Sequence, residues 1–258
     1  AQVAGQWSAV EVQADQFNLF WMLSTAPLGL PSTMARRITE TAAAHWLGVW
    51  GVSNGLVYLA LLVVFNVLGL FAGAIYFGCI GQQVREGRID LGLLLRRVWL
   101  DWLQLIGLAV AGLMVILVLG VPALALTMVL TALNAFLGSA VLALAFSVVF
   151  WLLVFGLFAL HGITLGGRNL FAALWESIRL VQATLAPTIG LVAVVMLLYF
   201  GLGSVWALAP NDSWINVVGI AGHALVSTAL VAATFVYYQD RLRWWQELRA
   251  TRAARLRA

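Results

Sequence analysis

The chain contains no lysine: all 14 of its basic residues are arginine. A Schiff base to retinal or pyridoxal phosphate and a phosphate-binding P-loop each need a lysine amine, so those chemistries are excluded. A single cysteine, Cys79, excludes an internal disulfide and a cysteine-cluster metal site. In its apolar, glycine-rich surroundings Cys79 reads as a small packing residue. Charge is scarce too, at 9% of residues. It vanishes from Trp102 to Gly167, 66 residues without one Asp, Glu, Lys or Arg. A hydrocarbon core takes roughly 20 apolar residues of helix to cross, so this run holds at least two membrane spans. There is no Ser-His-Asp set, no His-Glu-x-x-His and no pair of carboxylates inside an apolar run. An enzymatic reading therefore has no residues to stand on.

What is present belongs to the membrane class. The 258 residues are 63% hydrophobic, with 12 Trp and 24 Gly and a mean hydropathy of +0.99. Spanning helices tolerate glycine and collect tryptophan at their ends. One small membrane domain is the natural reading. The chain begins at Ala1 with no charged n-region ahead of a short apolar core, so no intact signal peptide is expected.

Five segments are long and clean enough to cross: 51–83, 102–126, 134–163, 187–208 and 214–238. Gly120-Val121-Pro122 and the 127–134 stretch offer the turn that splits the long uncharged run, with Asn134 as a helix cap. The apolar stretch from Phe17 to Leu30 is short and interrupted by Pro27, Gly29 and Pro31. It reads as an interfacial or re-entrant element or as a short sixth span. The expected fold is thus all-α, a polytopic transmembrane bundle of five to six spans. Residues 1–45 precede the bundle, 46–238 form it, and 239–258 make a basic tail.

Twelve of the 14 arginines follow the first, third and fifth spans. The positive-inside rule makes that side cytoplasmic and puts the C-terminus there, as in a multi-pass protein of a bacterial inner membrane. Trp46, Trp50, Trp99, Trp102, Trp206, Trp214, Trp244 and Trp245 lie near span ends, where indoles suit the headgroup level. Trp151 lies mid-span, facing lipid, a partner or, more in keeping with its setting, the core.

Two cytoplasmic connections look alike: Gly87-Arg88-Ile89-Asp90-Leu91 and Gly167-Arg168-Asn169-Leu170-Phe171. Asp90 and Asn169 are each placed to cap a following amphipathic helix. In the first helix Leu91, Leu94, Leu95, Val98 and Trp102 fall at helical spacing, with Asp90, Arg97 and Asp101 on another face. In the second, Phe171, Leu174, Trp175 and Ile178 line one side. Helices of this kind lie in the interface plane. The resemblance suggests a duplicated helical hairpin, although any membrane hairpin needs an elbow.

His161 and His223 are the titratable side chains inside spans. Neither has a second ligand at metal spacing, so no metal site is expected. Each is a candidate axial ligand to haem or a chlorophyll-type pigment, against the plainer role of hydrogen-bonding a neighbouring helix. Asn54, Asn66 and Gln104 read as interhelical hydrogen-bonding groups, and Gly69 and Gly73 as a small-residue packing face. Arg241, Arg243, Arg249, Arg252, Arg255 and Arg257 form a basic tail suited to anionic headgroups or a docking partner. Nucleic-acid binding is not expected of such a tail.

The run Tyr76 to Gly87, the segment Leu170 to Leu180 and the closing Phe235 to Arg241 resemble a group of bacterial multi-spanning proteins of uncharacterised function. That group is similar to the membrane domain attached to some glycerophosphodiester phosphodiesterases. The resemblance covers roughly 69–241 and implies a six-helix bundle with cytoplasmic amphipathic elbows. It implies no catalytic residues, because the hydrolase of that family is a separate soluble domain. The expectation is a non-catalytic accessory or scaffold subunit, its partners being membrane lipids and other membrane subunits. The alternatives are a transporter or lipid-handling permease with a polar cavity near Asn54, Asn66 and His223, and a pigment- or haem-binding subunit.

Overall fold

A computed structural model describes residues 19–24, 28, 52, 54–206 and 214–255. Among them there is no strand. A 3-10 turn at Leu19–Ser24 precedes α1, Gly55–Glu86. Then come α2, Leu91–Val115, a π turn at Ile116–Gly120, α3, Val121–Leu133, and α4, Ala135–Gly156. The remainder is α5, Ala159–Thr164, α6, Leu170–Ala183, α7, Leu185–Trp206, and α8, Ile215–Arg255. Five helical runs are long and apolar enough to cross a membrane: Gly55–Glu86, Leu91–Leu133, Ala135–Thr164, Leu185–Trp206 and Val217–Thr251. These are the five spans expected, and helices suit lipid because they satisfy every interior backbone group themselves. Of the doubtful first element only the six residues of the 3-10 turn and Leu28 are described. Trp46, Trp50, Asp212 and Arg257 lie outside the described residues, as do the side chains of Arg252 and Arg255.

Two boundaries differ from the sequence reading. No reversal occurs at Gly120-Val121-Pro122. The helix runs on from Leu91 to Leu133, 43 residues or about 64 Å if straight. Pro122 has no N–H and its ring crowds the carbonyl four residues earlier. A π turn just ahead of it admits the extra residue that relieves this, and the proline sits in the first turn of α3. The reversal comes at Asn134, whose extended backbone (φ −159°, ψ 123°) breaks the helix. Its Oδ1 accepts from Phe136 N–H at 2.8 Å, as a cap should. Gly138 makes the tight hairpin fit, since a Cβ there would lie 2.9 Å from Thr131 Cβ. The second boundary is at residue 239. The basic tail is no separate segment, because α8 continues unbroken from the span to Arg255.

By their internal contacts the described parts sort into two compact units: residues 1–73 with 194–230, and 74–193 with 231–258. In the first unit, Gly69 packs on the 3-10 turn so closely that a Cβ would meet Leu23 O at 2.7 Å. Gly73 is also buried, so both small-residue positions face protein. Trp206 packs over Gly222, where a Cβ would lie 2.8 Å from the indole ring.

The second unit holds both elbows, and they share one register. Counting from the cap Asp90, α2 buries the fourth, eighth, eleventh and fifteenth residues: Leu94, Val98, Asp101 and Leu105. Counting from the cap Asn169, the same offsets land on Ala173, Ser177, Leu180 and Thr184, all buried. The shared offsets are those of any helix with one inward stripe, so they make the two elbows alike without establishing a duplication. Leu91, Leu95, Phe171 and Trp175 are exposed, as an apolar face at the acyl boundary requires. One face needs correcting: Leu94 and Val98 turn inward together with Asp101. On α6 it is the smaller Ala173 and Ser177 that pack against protein. Ala173 and Ser177 suit that inner face because helices approach closely there. The first elbow helix also proves continuous with its span, whereas the second ends at Thr184 ahead of Pro187.

Candidate functional site

The polar residues of the second unit converge where α1, α2, α5, α6 and α8 meet. Each elbow turns on a glycine with left-handed backbone, Gly87 (φ 68°) and Gly167 (φ 64°), a conformation costly for residues bearing a Cβ. Asp90 Oδ1 then accepts from Leu93 N–H at 3.0 Å, and Asn169 Oδ1 from Ala172 N–H at 2.9 Å. Both expected caps form. Gln82 reinforces the first, its Oε1 accepting from Asp90 N–H at 2.9 Å.

Arginines of the first elbow close the helix end at the second. Arg97 donates to Ile163 O at 3.0 Å, and Arg85 to Leu165 O at 3.1 Å. These carbonyls lie at the C-terminal end of α5, where helices leave acceptors unpaired and favour positive charge. Asp101, buried to 4% exposure, holds Arg97 by an ion pair at 3.3 Å. Gly167 has a second reason to be glycine: a Cβ would lie 2.6 Å from Arg97 Nη2.

A further brace spans the break between α4 and α5 at Leu157-Phe158. The buried Ser177 hydroxyl accepts from Phe158 N–H at 3.0 Å and donates to Phe155 O at 2.6 Å. It thus pairs backbone groups of the interrupted helix. Beside it the Tyr238 hydroxyl donates to Glu176, which also pairs with Arg168 at 3.4 Å. Thr188 and Tyr237 hydroxyls meet at 3.1 Å. Nothing in the sequence pattern assigned Ser177, Glu176 or Tyr238 a bracing role. Only Ser177 left a signal, as a polar residue at an inward offset of a capped helix.

His161 is buried among Phe158, Phe235 and Tyr238, with Phe235 at 4.4 Å between ring centroids. Its Nε2 contacts Thr234 Oγ1 at 2.9 Å. The threonine hydroxyl also lies 2.7 Å from Val231 O. His223, in the first unit, meets Ser227 Oγ at 3.0 Å and the Tyr199 ring edge-on at 5.4 Å. Both histidines therefore spend Nε2 on a hydroxyl, and both hydroxyls belong to α8.

The remaining sequence candidates scatter. Asn54 is no interhelical group: it caps α1, accepting from Leu56 N–H at 2.9 Å. Asn66 donates to Leu62 O of its own helix at 2.8 Å. Gln104 Oε1 is buried without a hydrogen-bond partner among the described residues. Trp151 is not a core residue: it stands 38% exposed against the rings of Phe150 and Phe155. Arg241 pairs with Asp240 at 3.2 Å, Arg243 is exposed, and Arg249 stacks on Trp245 at 4.7 Å. No group of three metal-binding side chains occurs among the described residues.

Within the second unit Asp101 is matched with Arg97, and Glu176 with Arg168 and Tyr238. No family of known proteins, no curated protein and no solved structure matches this chain.

Proposed function

We propose that the protein is a non-catalytic integral membrane scaffold, an accessory subunit of a larger membrane assembly. It sits in a bacterial inner membrane with the C-terminus cytoplasmic, as the arginine distribution favours. The observation that carries this reading is the α3–α4 hairpin. Among its 35 helical residues α3 buries none and α4 buries only Gly138. Phe136, Phe146, Leu144, Phe150 and Leu153 all stand open. The hairpin carries no charged group, and it offers a wide apolar surface on which neighbouring helices can pack. The polar residues at its base are spent on holding it in place. The resemblance to the membrane domain found beside some phosphodiesterases accords with a supporting role. Asn54 and His223, which a permease would gather round one cavity with Asn66, are spent on a cap and on a serine. The aromatic packing around His161 gives no support to a pigment-binding role.

The test is native purification in a mild detergent, with mass spectrometry and an absorption spectrum of the intact particle. Stoichiometric membrane companions are expected, and Phe146→Ala combined with Leu144→Ala should strip them off while the chain stays folded. A lone colourless monomer or homodimer would sink the scaffold reading and send the question to solute and lipid flux.

A further inference from the structure

We infer that the groove between α6 and the C-terminal turns of α8 is a binding site for the headgroup of an anionic phospholipid, held through its phosphodiester. This goes beyond the scaffold reading and rests only on the membrane placement. The open groove, of about 220 Å³, is lined by Arg168, Arg179, Arg249, Trp175, Trp245 and Glu176 among others. That is room for on the order of seven waters, the scale of a phosphate with its ester oxygens and a small alcohol.

Charge selects an anion. Three guanidiniums face one carboxylate, and Glu176 is already matched by Arg168 and by the Tyr238 hydroxyl. Arg179 and Arg249 have no carboxylate in ion-pair range among the described residues. Each instead lies over an indole, Arg179 on Trp175 and Arg249 on Trp245, both at 4.7 Å. Stacking fixes the plane of a guanidinium and leaves its in-plane N–H donors free for a pair of phosphate oxygens. The geometry comes from one short pattern used twice, Trp175-Glu176-Ser177-Ile178-Arg179 and Trp245-Gln246-Glu247-Leu248-Arg249. A spacing of four residues puts arginine and tryptophan on the same helical face.

Depth selects a lipid as the source of that phosphate. On α6, Trp175 is 56% exposed and Phe171, one turn earlier, 82%. Such side chains lie at the acyl boundary with charged groups just above, where lipid phosphates sit. The groove thus opens where headgroups are concentrated.

The test uses the full chain in nanodiscs of phosphatidylcholine with a minor share of phosphatidylglycerol, followed by native mass spectrometry of retained lipid. The wild type should keep phosphatidylglycerol in preference to phosphatidylcholine. Arg179→Gln with Arg249→Gln should weaken that retention about 30-fold, one surface-arginine contribution for each residue. Arg88→Gln with Arg96→Gln removes the same charge from exposed positions elsewhere on that end and should leave retention unchanged. If the first pair compromises folding, Arg249→Gln alone, on an exposed turn, should cost about fivefold. Equal losses in the two double variants would mean diffuse surface attraction and would overturn the site. No preference for the anionic lipid in the wild type would overturn it as well. Displacement of the lipid by inorganic phosphate at matched concentration would assign the groove to a free anion instead.

Discussion

Around the second elbow, α6 buries Ala173, Ser177, Leu180 and Val181, and every residue of α5 is buried. In the hairpin joined to it, α3 buries nothing and α4 only Gly138. One region is held by ion pairs, caps and hydroxyl bridges between segments far apart in sequence. The other is held at its base by Ser177 and otherwise by a single turn and by whatever surrounds it in the membrane. The difference follows from the solvent. In lipid, apolar surface gains little by turning inward, so apolar residues alone do not dictate where a helix packs. Polar groups and left-handed glycines do, because leaving them unsatisfied or strained is costly. The elbow end is therefore the specified part of the molecule and the hairpin the adaptable part.

That contrast can be broken most severely at Arg97. Arg97→Leu leaves Asp101 buried without its partner, and about 3–5 kcal/mol of stability should go. Thermal unfolding in detergent would read this, and adding Asp101→Asn should restore part of the loss if the ion pair is the cause. Ser177→Ala should cost about 2–3 kcal/mol, because Phe158 N–H and Phe155 O lose their shared partner. A drop no greater than that of an exposed site would mean the helix break is braced by something else. Asn134→Ala removes the cap that starts α4 and should cost about 1 kcal/mol. At the bottom of the scale, Leu144→Ala on the hairpin should change stability by no more than roughly 0.5 kcal/mol. A large loss there would show that the hairpin is specified like the elbows, and the contrast would collapse.

Much of this was legible in the chain. The uncharged run, the five spans, the caps Asp90, Asn134 and Asn169 and the glycines beside two of them all follow from local rules about lipid thickness and helix ends. The likeness of the two elbows was visible too, but as five residues each. That both elbows bury residues at the same offsets needed the packed helices. Asp101 was set apart from Leu94 and Val98, yet all three are buried, because spacing shows which residues share a face and cannot show which face turns inward. The exposed Phe171 and Trp175 fit the interfacial placement expected of them. The Trp-x-x-x-Arg pair was in plain view, yet nothing linked its two copies, 70 positions apart, until α6 and α8 lined one groove.

The sequence by itself determined that this is a helical membrane protein, that Asp90, Asn134 and Asn169 start helices, and which end carries the arginines. Those properties depend on neighbours a few residues away and on the bilayer. Only the tertiary structure decided that Arg85 and Arg97 cap a helix some 66 to 80 residues downstream. It also decided that Ser177 bridges a broken helix and that Glu176 is shared by Tyr238 and Arg168. Polar contacts at that range form only when packing brings the groups within about 3 Å, and no local pattern encodes that meeting.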